Sequence, residues 1–263
     1  EGSWRKELRY ECYVPAGEFV MGEGHAAHGV QLDAFYIGRY PVSCAEYKRY
    51  MDDIGRAYEI PPGKANHPVV NVSWFDARDY AAWAGMRLLS EAEWEKAASW
   101  DETHQCKRHY PWGDLFEPGL CNTEELGVAG TTPVGKFSPQ GDSPYGCGDM
   151  AGNVWEWTSS LDRPYPYRAD DGREEADSSD QRVLRGGGFN NRADFARTTY
   201  RSRNYPDLHL WNLGFRVGLS ANGRPVGTRR RRGQANPEPA QPDRTYAVAV
   251  VAATEITEHT EKS

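Results

Sequence analysis

The sequence lacks long hydrophobic runs and an excess of basic charge. Ala, Val, Ile, Leu, Met, Phe, Trp, Tyr and Cys together make up 38 % of its 263 residues. No run reaches the ~18 apolar residues of a membrane-spanning helix, so no membrane span is predicted. Lys and Arg number 31 against 38 Asp and Glu, a net charge of −7. That balance argues against nucleic acid as a partner, because phosphate binding requires a basic patch.

Cysteine is scarce as well, and the C-x-x-C spacing is absent. The five cysteines are Cys12, Cys44, Cys106, Cys121 and Cys147. An odd number without that spacing argues against a disulfide framework or a structural zinc site, and we expect reduced thiols. No basic-then-apolar signal opens the sequence, which starts at Glu1 rather than Met. We leave the location open between the cytoplasm and display at the cell surface.

Aromatic residues and glycine are abundant instead. Nine Trp, 15 Tyr and 27 Gly predict a loop-rich protein with an aromatic core, and frequent Gly and Pro argue against a helical bundle. Three Ser-x-x-acid capping boxes predict short helices. These helices cover residues 44–52, 74–84 and 91–99. Strand patterns cover residues 17–22, 30–37, 183–185 and 213–219, whereas residues 110–157 show few regular elements.

The composition changes after Ser220. Residues 229–232 are four arginines, residues 233–243 read as a linker, and residues 246–254 have strand character. We therefore divide the chain into a lead-in (1–13), one domain (14–220) and a linker with a tail (221–263).

Seven motifs in a fixed order carry a family resemblance. They are GEFVMG (17–22), HPVVNVSW (67–74), RLLSEAEWE (87–95), YPWG (110–113), GNVWEW (152–157), LRGG (184–187) and GFR (214–216). Together they resemble the formylglycine-generating enzyme, or sulfatase-modifying factor, domain over residues 14–219. The resemblance implies an α+β, C-type-lectin-like fold, irregular and loop-rich, with a small antiparallel sheet and a few short helices.

The chemistry of the family does not transfer to the expected positions. The resemblance implies a copper-binding cysteine pair after Arg-Gly-Gly, because thiolates select Cu(I). Residues 188–203 contain no cysteine. We therefore expect neither copper nor formylglycine formation, and predict that the chain is not an enzyme. Related sulfoxide synthases need a further iron-binding helical domain, which we do not find in this sequence.

Residues 182–217 resemble instead the variable region of diversity-generating retroelement proteins, in which selected surface positions are randomised. The side chains in this region are aromatic, amide, hydroxyl, charged and aliphatic groups, a mixture typical of a binding surface. The predicted ligand-binding residues are Asn190, Asn191, Arg192, Asp194, Phe195, Tyr200, Ser202, Asn204, Tyr205, Leu208, His209, Leu210 and Trp211. The alternative is that Phe195 and Trp211 only pack in the core.

A structural calcium site is also implied by the resemblance. It would use the side chains of Asp149 and Glu156 and the backbone oxygens of Gly152 and Val154, since calcium prefers several oxygen ligands. The alternative is that Glu156 only makes hydrogen bonds within the loop.

These features predict a non-catalytic protein that binds a macromolecular ligand, in particular a protein. The oligomeric state stays open. An oxidase of the formylglycine-generating class, or a regulatory or structural paralogue of it, is the alternative. We further expect that Ala at Tyr200, Tyr205 or Trp211 abolishes binding and leaves the melting temperature nearly unchanged.

Overall fold

The computed structural model describes residues 11–221, all within the first of the two units into which the chain divides, Glu1–Gly227. In these residues, three short α-helices accompany twelve short strands. The helices are α1 (Cys44–Asp53), α2 (Trp74–Trp83) and α3 (Glu91–Ser99). The strands are β1 (Glu11–Val14), β2 (Gly17–Met21), β3 (His28–Leu32), β4 (Phe35–Gly38), β5 (Arg87–Leu88), β6 (Trp100–Asp101), β7 (Cys106–Lys107), β8 (Trp155–Leu161), β9 (Arg182–Arg185), β10 (Ser202–Asn204), β11 (Leu213–Phe215) and β12 (Val217–Ser220).

All three helices begin at a complete capping box, as the sequence predicts. The N-cap residues are Ser43, Ser73 and Ser90, and each hydroxyl accepts a hydrogen bond from the backbone N–H three residues later. The acidic side chain at that position accepts a hydrogen bond from the backbone N–H of the N-cap residue. Two otherwise unsatisfied N–H groups are thereby paired at each helix start.

Two four-stranded sheets organise the domain. One has the order β1-β4-β12-β5 and is antiparallel throughout. The other has the order β10-β9-β8-β11, with β8 and β11 parallel. The main hydrophobic core contains Trp74, Trp157 and Phe215. The mixed sheets and few helices confirm the predicted α+β, loop-rich fold.

Two predicted strands are each split in the structure. Residues 30–37 form parts of β3 and β4, and residues 213–219 form β11 and β12, with Arg216 at the break. In both cases the two halves pair in different sheets. Alternating hydrophobicity shows that a segment is extended, but it does not show where the chain leaves one sheet for another.

The predicted domain boundaries stay predictions. β1 pairs with β4 over Glu11–Val14, so the last residues of the predicted lead-in lie in a sheet strand. β8 begins at Trp155, inside the segment for which we expected few regular elements. The arginine run at 229–232, the linker and the predicted strand at 246–254 lie outside the described residues. No helix within residues 11–221 is long and apolar enough to cross a membrane.

Candidate ligand-binding face

A buried arginine supports the segment that follows β9. Arg185 is fully buried and donates hydrogen bonds to Glu91 (2.7 Å) and Glu95 (2.6 Å) of α3. Its other terminal nitrogen donates to the carbonyls of Thr198 (3.0 Å) and Tyr200 (3.3 Å). Arg185 therefore joins the segment around residues 198–200 to α3 through charge-assisted bonds.

Both carboxylates that accept from Arg185 also interact with a second cationic side chain. Arg201 also donates to both oxygens of Glu91, at 2.5 and 2.8 Å. Burial opposes ionisation of Glu95, but Arg185 and Lys107 hold the pKa of that carboxyl below its usual value. Glu95 therefore stays ionised and keeps Arg185 in place.

A second buried arginine holds the start of β8. Arg216 donates to both oxygens of Glu156, at 2.6 and 2.7 Å, and to the carbonyls of Gly148 and Asp149. The indole N–H of Trp94 donates to the same carboxylate at 2.7 Å. We call Arg185, Arg216 and their acidic partners Glu91, Glu95 and Glu156 the arginine frame.

Three aromatic rings pack together where the main core meets the surface, with Trp155 buried and Phe195 and Tyr200 half-buried. Phe195 and Tyr200 have ring centroids 4.9 Å apart, and Tyr200 lies 6.0 Å from Trp155. The indole N–H of Trp155 donates to Asn191 Oδ1 at 2.8 Å, which fixes the ring. We call Trp155, Phe195 and Tyr200 the inner ring cluster.

Three further side chains form an exposed group on the same segment. Tyr205 is 55 %, Leu208 38 % and Trp211 53 % exposed. Phe189 supports Trp211 from below, with ring centroids 5.0 Å apart. We call Tyr205, Leu208 and Trp211 the outer patch.

The loop carrying the outer patch is held on the start of α2. Trp74 N–H donates to the carbonyl of Pro206 at 2.9 Å, and Asn71 N–H donates to that of Leu210 at 2.9 Å. The His209 ring lies 3.1 Å from Asp76, the acidic member of the α2 capping box. These contacts give an irregular loop a defined shape.

All thirteen predicted ligand-binding residues lie between β9 and β11, at or near the surface. Seven are exposed: Asn190, Arg192, Asp194, Tyr205, Leu208, His209 and Trp211. Six are half-buried: Asn191, Phe195, Tyr200, Ser202, Asn204 and Leu210. Tyr200 thus contributes to packing as well, so the expectation that its loss leaves stability unchanged does not fit the structure. Ligand binding by these residues stays a prediction.

Trp155 and Asp76 belong to this face but were not predicted from the sequence. Trp155 lies far from the segment in sequence and reaches it because β8 and β11 pair in parallel, with Trp155 opposite Leu213. The sequence predicted Asp76 only as the acidic residue of the α2 capping box. Its contact with His209 depends on the conformation of a distant loop, which no short sequence pattern predicts.

Three of the four predicted calcium ligands already have hydrogen-bond partners within the protein. Both oxygens of Glu156 are bonded to Arg216, and the Gly152 carbonyl accepts from Val154 N–H at 2.9 Å. Asp149 accepts a 2.6 Å bond from Gly135 N–H, and burial raises the pKa of its carboxyl to about 6. A cation at this position would compete with the Arg216 guanidinium. Calcium binding stays an untested prediction without support from the geometry.

Comparisons with known proteins now decide the family. The model of the sulfatase-modifying factor enzyme 1-like domain matches residues 2–221. This chain belongs to that family. The chain is 40 % identical to the formylglycine-generating enzyme of Streptomyces coelicolor over an alignment of 298 positions, gaps included. The alignment covers 82 % of this chain and 91 % of that protein.

Other relatives of this sulfatase-modifying factor family member have different names. Hercynine oxygenase of Mycolicibacterium thermoresistibile is 36 % identical over 232 residues, covering 72 % of this chain and 51 % of that protein. The inactive C-alpha-formylglycine-generating enzyme 2 of Bos taurus is 44 % identical over 179 residues, covering 62 % and 54 %. The chain thus spans about half the length of both relatives.

A solved structure supports the fold. The Treponema denticola variable protein 1 superposes with a TM-score of 0.64 at 21 % identity, covering 80 % of this chain and 94 % of that one. At this identity the likeness concerns the fold alone. It agrees with the C-type-lectin-like architecture that the motifs imply.

The relatives overturn one prediction. We expected that the chain is not an enzyme, whereas several relatives in this family are named enzymes, among them hercynine oxygenases and a formylglycine-generating enzyme. The absence of cysteine from residues 188–203 excludes only the copper-binding cysteine pair that the resemblance implies there. It does not rule out other chemistry in a family that includes oxygenases.

Proposed function

We propose that the described domain is the substrate-recognition part of an oxidising enzyme, and that the face formed by residues 189–212 and Trp155 binds the substrate. The observation that carries this proposal is the inner ring cluster. The half-buried rings of Phe195 and Tyr200 meet the buried ring of Trp155, and buried hydrogen bonds from Arg185 fix the backbone of residues 198 and 200. A preorganised aromatic surface binds ligands at low entropic cost.

Of the two activities named in the relatives, the oxygenase fits this chain better. The resemblance places the cysteine pair of formylglycine formation after Arg-Gly-Gly, where this chain has none. Within residues 11–221, no three His, Cys, Asp or Glu side chains come together to hold a metal ion. We therefore assign recognition to the described residues and derive no redox step through them.

The ligand class follows from the rings and the oxygenase relatives. Hercynine is the compound named in those relatives. As the trimethylammonium betaine of histidine, it carries a quaternary ammonium group beside an imidazole ring. Aromatic faces attract such cations, with ~0.5–2 kcal/mol per contact. We propose a small quaternary ammonium compound of this kind as the substrate.

Calorimetric titration of hercynine into the full chain tests the ligand class. We expect binding to the wild type and at least tenfold weaker binding to Phe195→Leu, which keeps apolar bulk but removes the ring. Phe137→Leu is the matched control, because Phe137 is also half-buried but lies in the 135–141 loop, outside the face. Absence of hercynine binding to the wild type would overturn the ligand class.

Oxygen uptake tests the activity. Because no metal-holding cluster lies within residues 11–221, the oxygenase assignment predicts oxygen uptake with hercynine, ferrous iron and a thiol only if residues outside that range supply the metal site. Aldehyde formation on a cysteine-containing peptide with copper would instead establish the formylglycine-generating alternative and overturn the oxygenase assignment.

The outer patch favours a second candidate function, recognition of a protein partner. Exposed apolar groups of this size on one segment are typical of interfaces. The two candidates differ in their determinants, because a small ligand depends on the inner ring cluster and a protein depends on the outer patch. Loss of substrate binding in Phe195→Leu, but not in Trp211→Ala, would support the small ligand.

A further inference from the structure

Two cysteines that are distant in sequence meet in the core. Cys12 lies on β1, and Cys147 lies in the loop that precedes β8. Both belong to the same buried cluster, which also contains Trp94 and Met150. A Cβ added at Gly146, next to Cys147, would lie 4.0 Å from Cys12 Sγ. Neither cysteine forms a disulfide in this structure.

The two thiols differ in access. Cys12 retains 8 % of its exposure, whereas Cys147 is fully buried. The loop around Cys147 is fixed by its own bonds, because Ser143 N–H donates to the Cys147 carbonyl at 2.9 Å and Gly148 N–H donates to Arg39 O at 2.8 Å. An oxidant therefore reaches Cys12 first.

The surrounding charges favour a thiolate at Cys12. The hydrogen bond from Cys147 lowers the pKa of the Cys12 thiol more than burial raises it, and Arg216 and Arg39 lower it further, against Asp142. Cys12, the less buried of the two, is thus placed as the attacking cysteine, and the fully buried Cys147 as the resolving cysteine.

We propose that Cys12 and Cys147 form an oxidation site, at which a hydroperoxide converts the two thiols into a disulfide that joins β1 to the 143–148 loop. The pairing in space, the difference in exposure and the neighbouring guanidinium groups carry this inference. It does not depend on the substrate of the domain.

The reaction balances with hydrogen peroxide as the oxidant. The Cys12 thiolate attacks one peroxide oxygen, the O–O bond breaks, and the departing hydroxide takes up a proton to form water. Cys12 becomes a sulfenic acid. The Cys147 sulfur then attacks Cys12 Sγ, its proton leaves with the hydroxyl as a second water, and the S–S bond forms. Two thiols are oxidised and one peroxide is reduced to two waters.

The disulfide would close a long loop. β1 is an edge strand that pairs only with β4 in its sheet, so a covalent link to the 143–148 loop would hold the first strand on the domain. A link between positions this far apart restricts the unfolded chain strongly. We expect the melting temperature to rise by about 5–10 °C on oxidation.

Mass spectrometry of the full chain tests the site. After treatment with hydrogen peroxide, we expect a protein two hydrogens lighter, and a non-reducing peptide map that joins the Cys12 and Cys147 peptides. Cys106→Ser is the matched control, because Cys106 is an exposed cysteine outside the pair, and it should still form the disulfide.

Single variants test the order of attack. Cys147→Ser keeps a hydroxyl donor beside Cys12, so the sulfenic acid should accumulate at Cys12 and be trapped by dimedone. Cys12→Ser should leave Cys147 unmodified. Should the wild type form no Cys12–Cys147 link while dimedone labels Cys106, the proposal is wrong, and that result requires no variant to fold.

Discussion

The arginine frame and the outer patch differ in how far their side chains are exposed to solvent. Arg185 and Arg216 are at most 1 % exposed and are paired with buried carboxylates and backbone carbonyls. Tyr205 and Trp211, by contrast, are more than half exposed. Charged side chains therefore provide the internal support here, and aromatic side chains are displayed. The difference separates residues that hold the loops from residues available to a ligand.

Gly187 allows the backbone next to the arginine frame to lie close to the backbone of the inner ring cluster. Gly187 follows the frame residue Arg185 and has φ of 75°, and an added Cβ would lie 2.9 Å from the carbonyl oxygen of Phe195. A side chain at this position would push the inner ring cluster away from the frame.

Removing a frame arginine should have the largest effect. Arg185→Met takes one of two cationic partners from each of the buried carboxylates Glu91 and Glu95, which keep Arg201 and Lys107, and it also frees two backbone carbonyls. We expect a loss of about 3–5 kcal/mol of unfolding free energy in urea denaturation. Arg203→Met is the matched control, because the Arg203 side chain is 60 % exposed, and it should cost less than about 0.5 kcal/mol. Equal losses in the two variants would remove the distinction between frame and surface.

A carboxyl beside the frame should make stability depend on pH. Burial raises the pKa of Asp149 from 3.8 to about 6, so the folded protein binds this proton more tightly than the unfolded chain. Stability from this group is present below pH 3.8 and is lost as the pH rises to about 6, by ~3 kcal/mol in total.

Asp149→Asn tests this pH dependence. Asn tolerates the left-handed backbone of this position, where φ is 55°, and cannot ionise. We expect the variant to be more stable than the wild type at pH 7 and similar to it near pH 4, measured by thermal melts across the range. A variant less stable at pH 7 would show instead that the ionised carboxylate is needed, as a calcium ligand would be.

The inner ring cluster should show an intermediate effect. Tyr200 is half-buried against Trp155 and Phe195, so Tyr200→Ala should reduce the unfolding free energy by about 1–2 kcal/mol and also weaken ligand binding. Tyr200→Phe should restore the stability. A change below 0.5 kcal/mol for Tyr200→Ala would place this ring in the outer patch.

The outer patch should show the smallest effect on stability. Tyr205→Ala and Trp211→Ala should each shift the unfolding free energy by less than about 0.5 kcal/mol and abolish binding of any protein partner. Tyr13→Ala is the matched control, since Tyr13 is 51 % exposed on β1, outside the face. A large loss of stability in Trp211→Ala would place that side chain in the core.

Local sequence signals predicted much of this molecule. The capping boxes at Ser43, Ser73 and Ser90 located all three helices, because such caps depend only on residues three positions apart. The composition of residues 190–211 also predicted a binding surface. Seven of the thirteen predicted residues are exposed and six are half-buried, and their binding of a ligand stays a prediction.

Long-range pairing could not be predicted in the same way. The contact of Trp155 with Asn191, the meeting of Cys12 with Cys147, and the use of Glu156 by Arg216 each join distant parts of the chain. A carboxylate in a calcium-like pattern and a carboxylate in a buried ion pair look alike in one sequence. The partner that distinguishes them becomes visible only in the fold.

Hydrogen–deuterium exchange of the full chain, with and without hercynine, tests the central claim most directly. We predict that hercynine slows exchange in peptides covering residues 189–212 and the start of β8 at Trp155, and leaves β1–β4 unchanged. Protection confined to other parts of the chain, or no protection at saturating hercynine, would contradict the assignment of this face as the substrate-binding site.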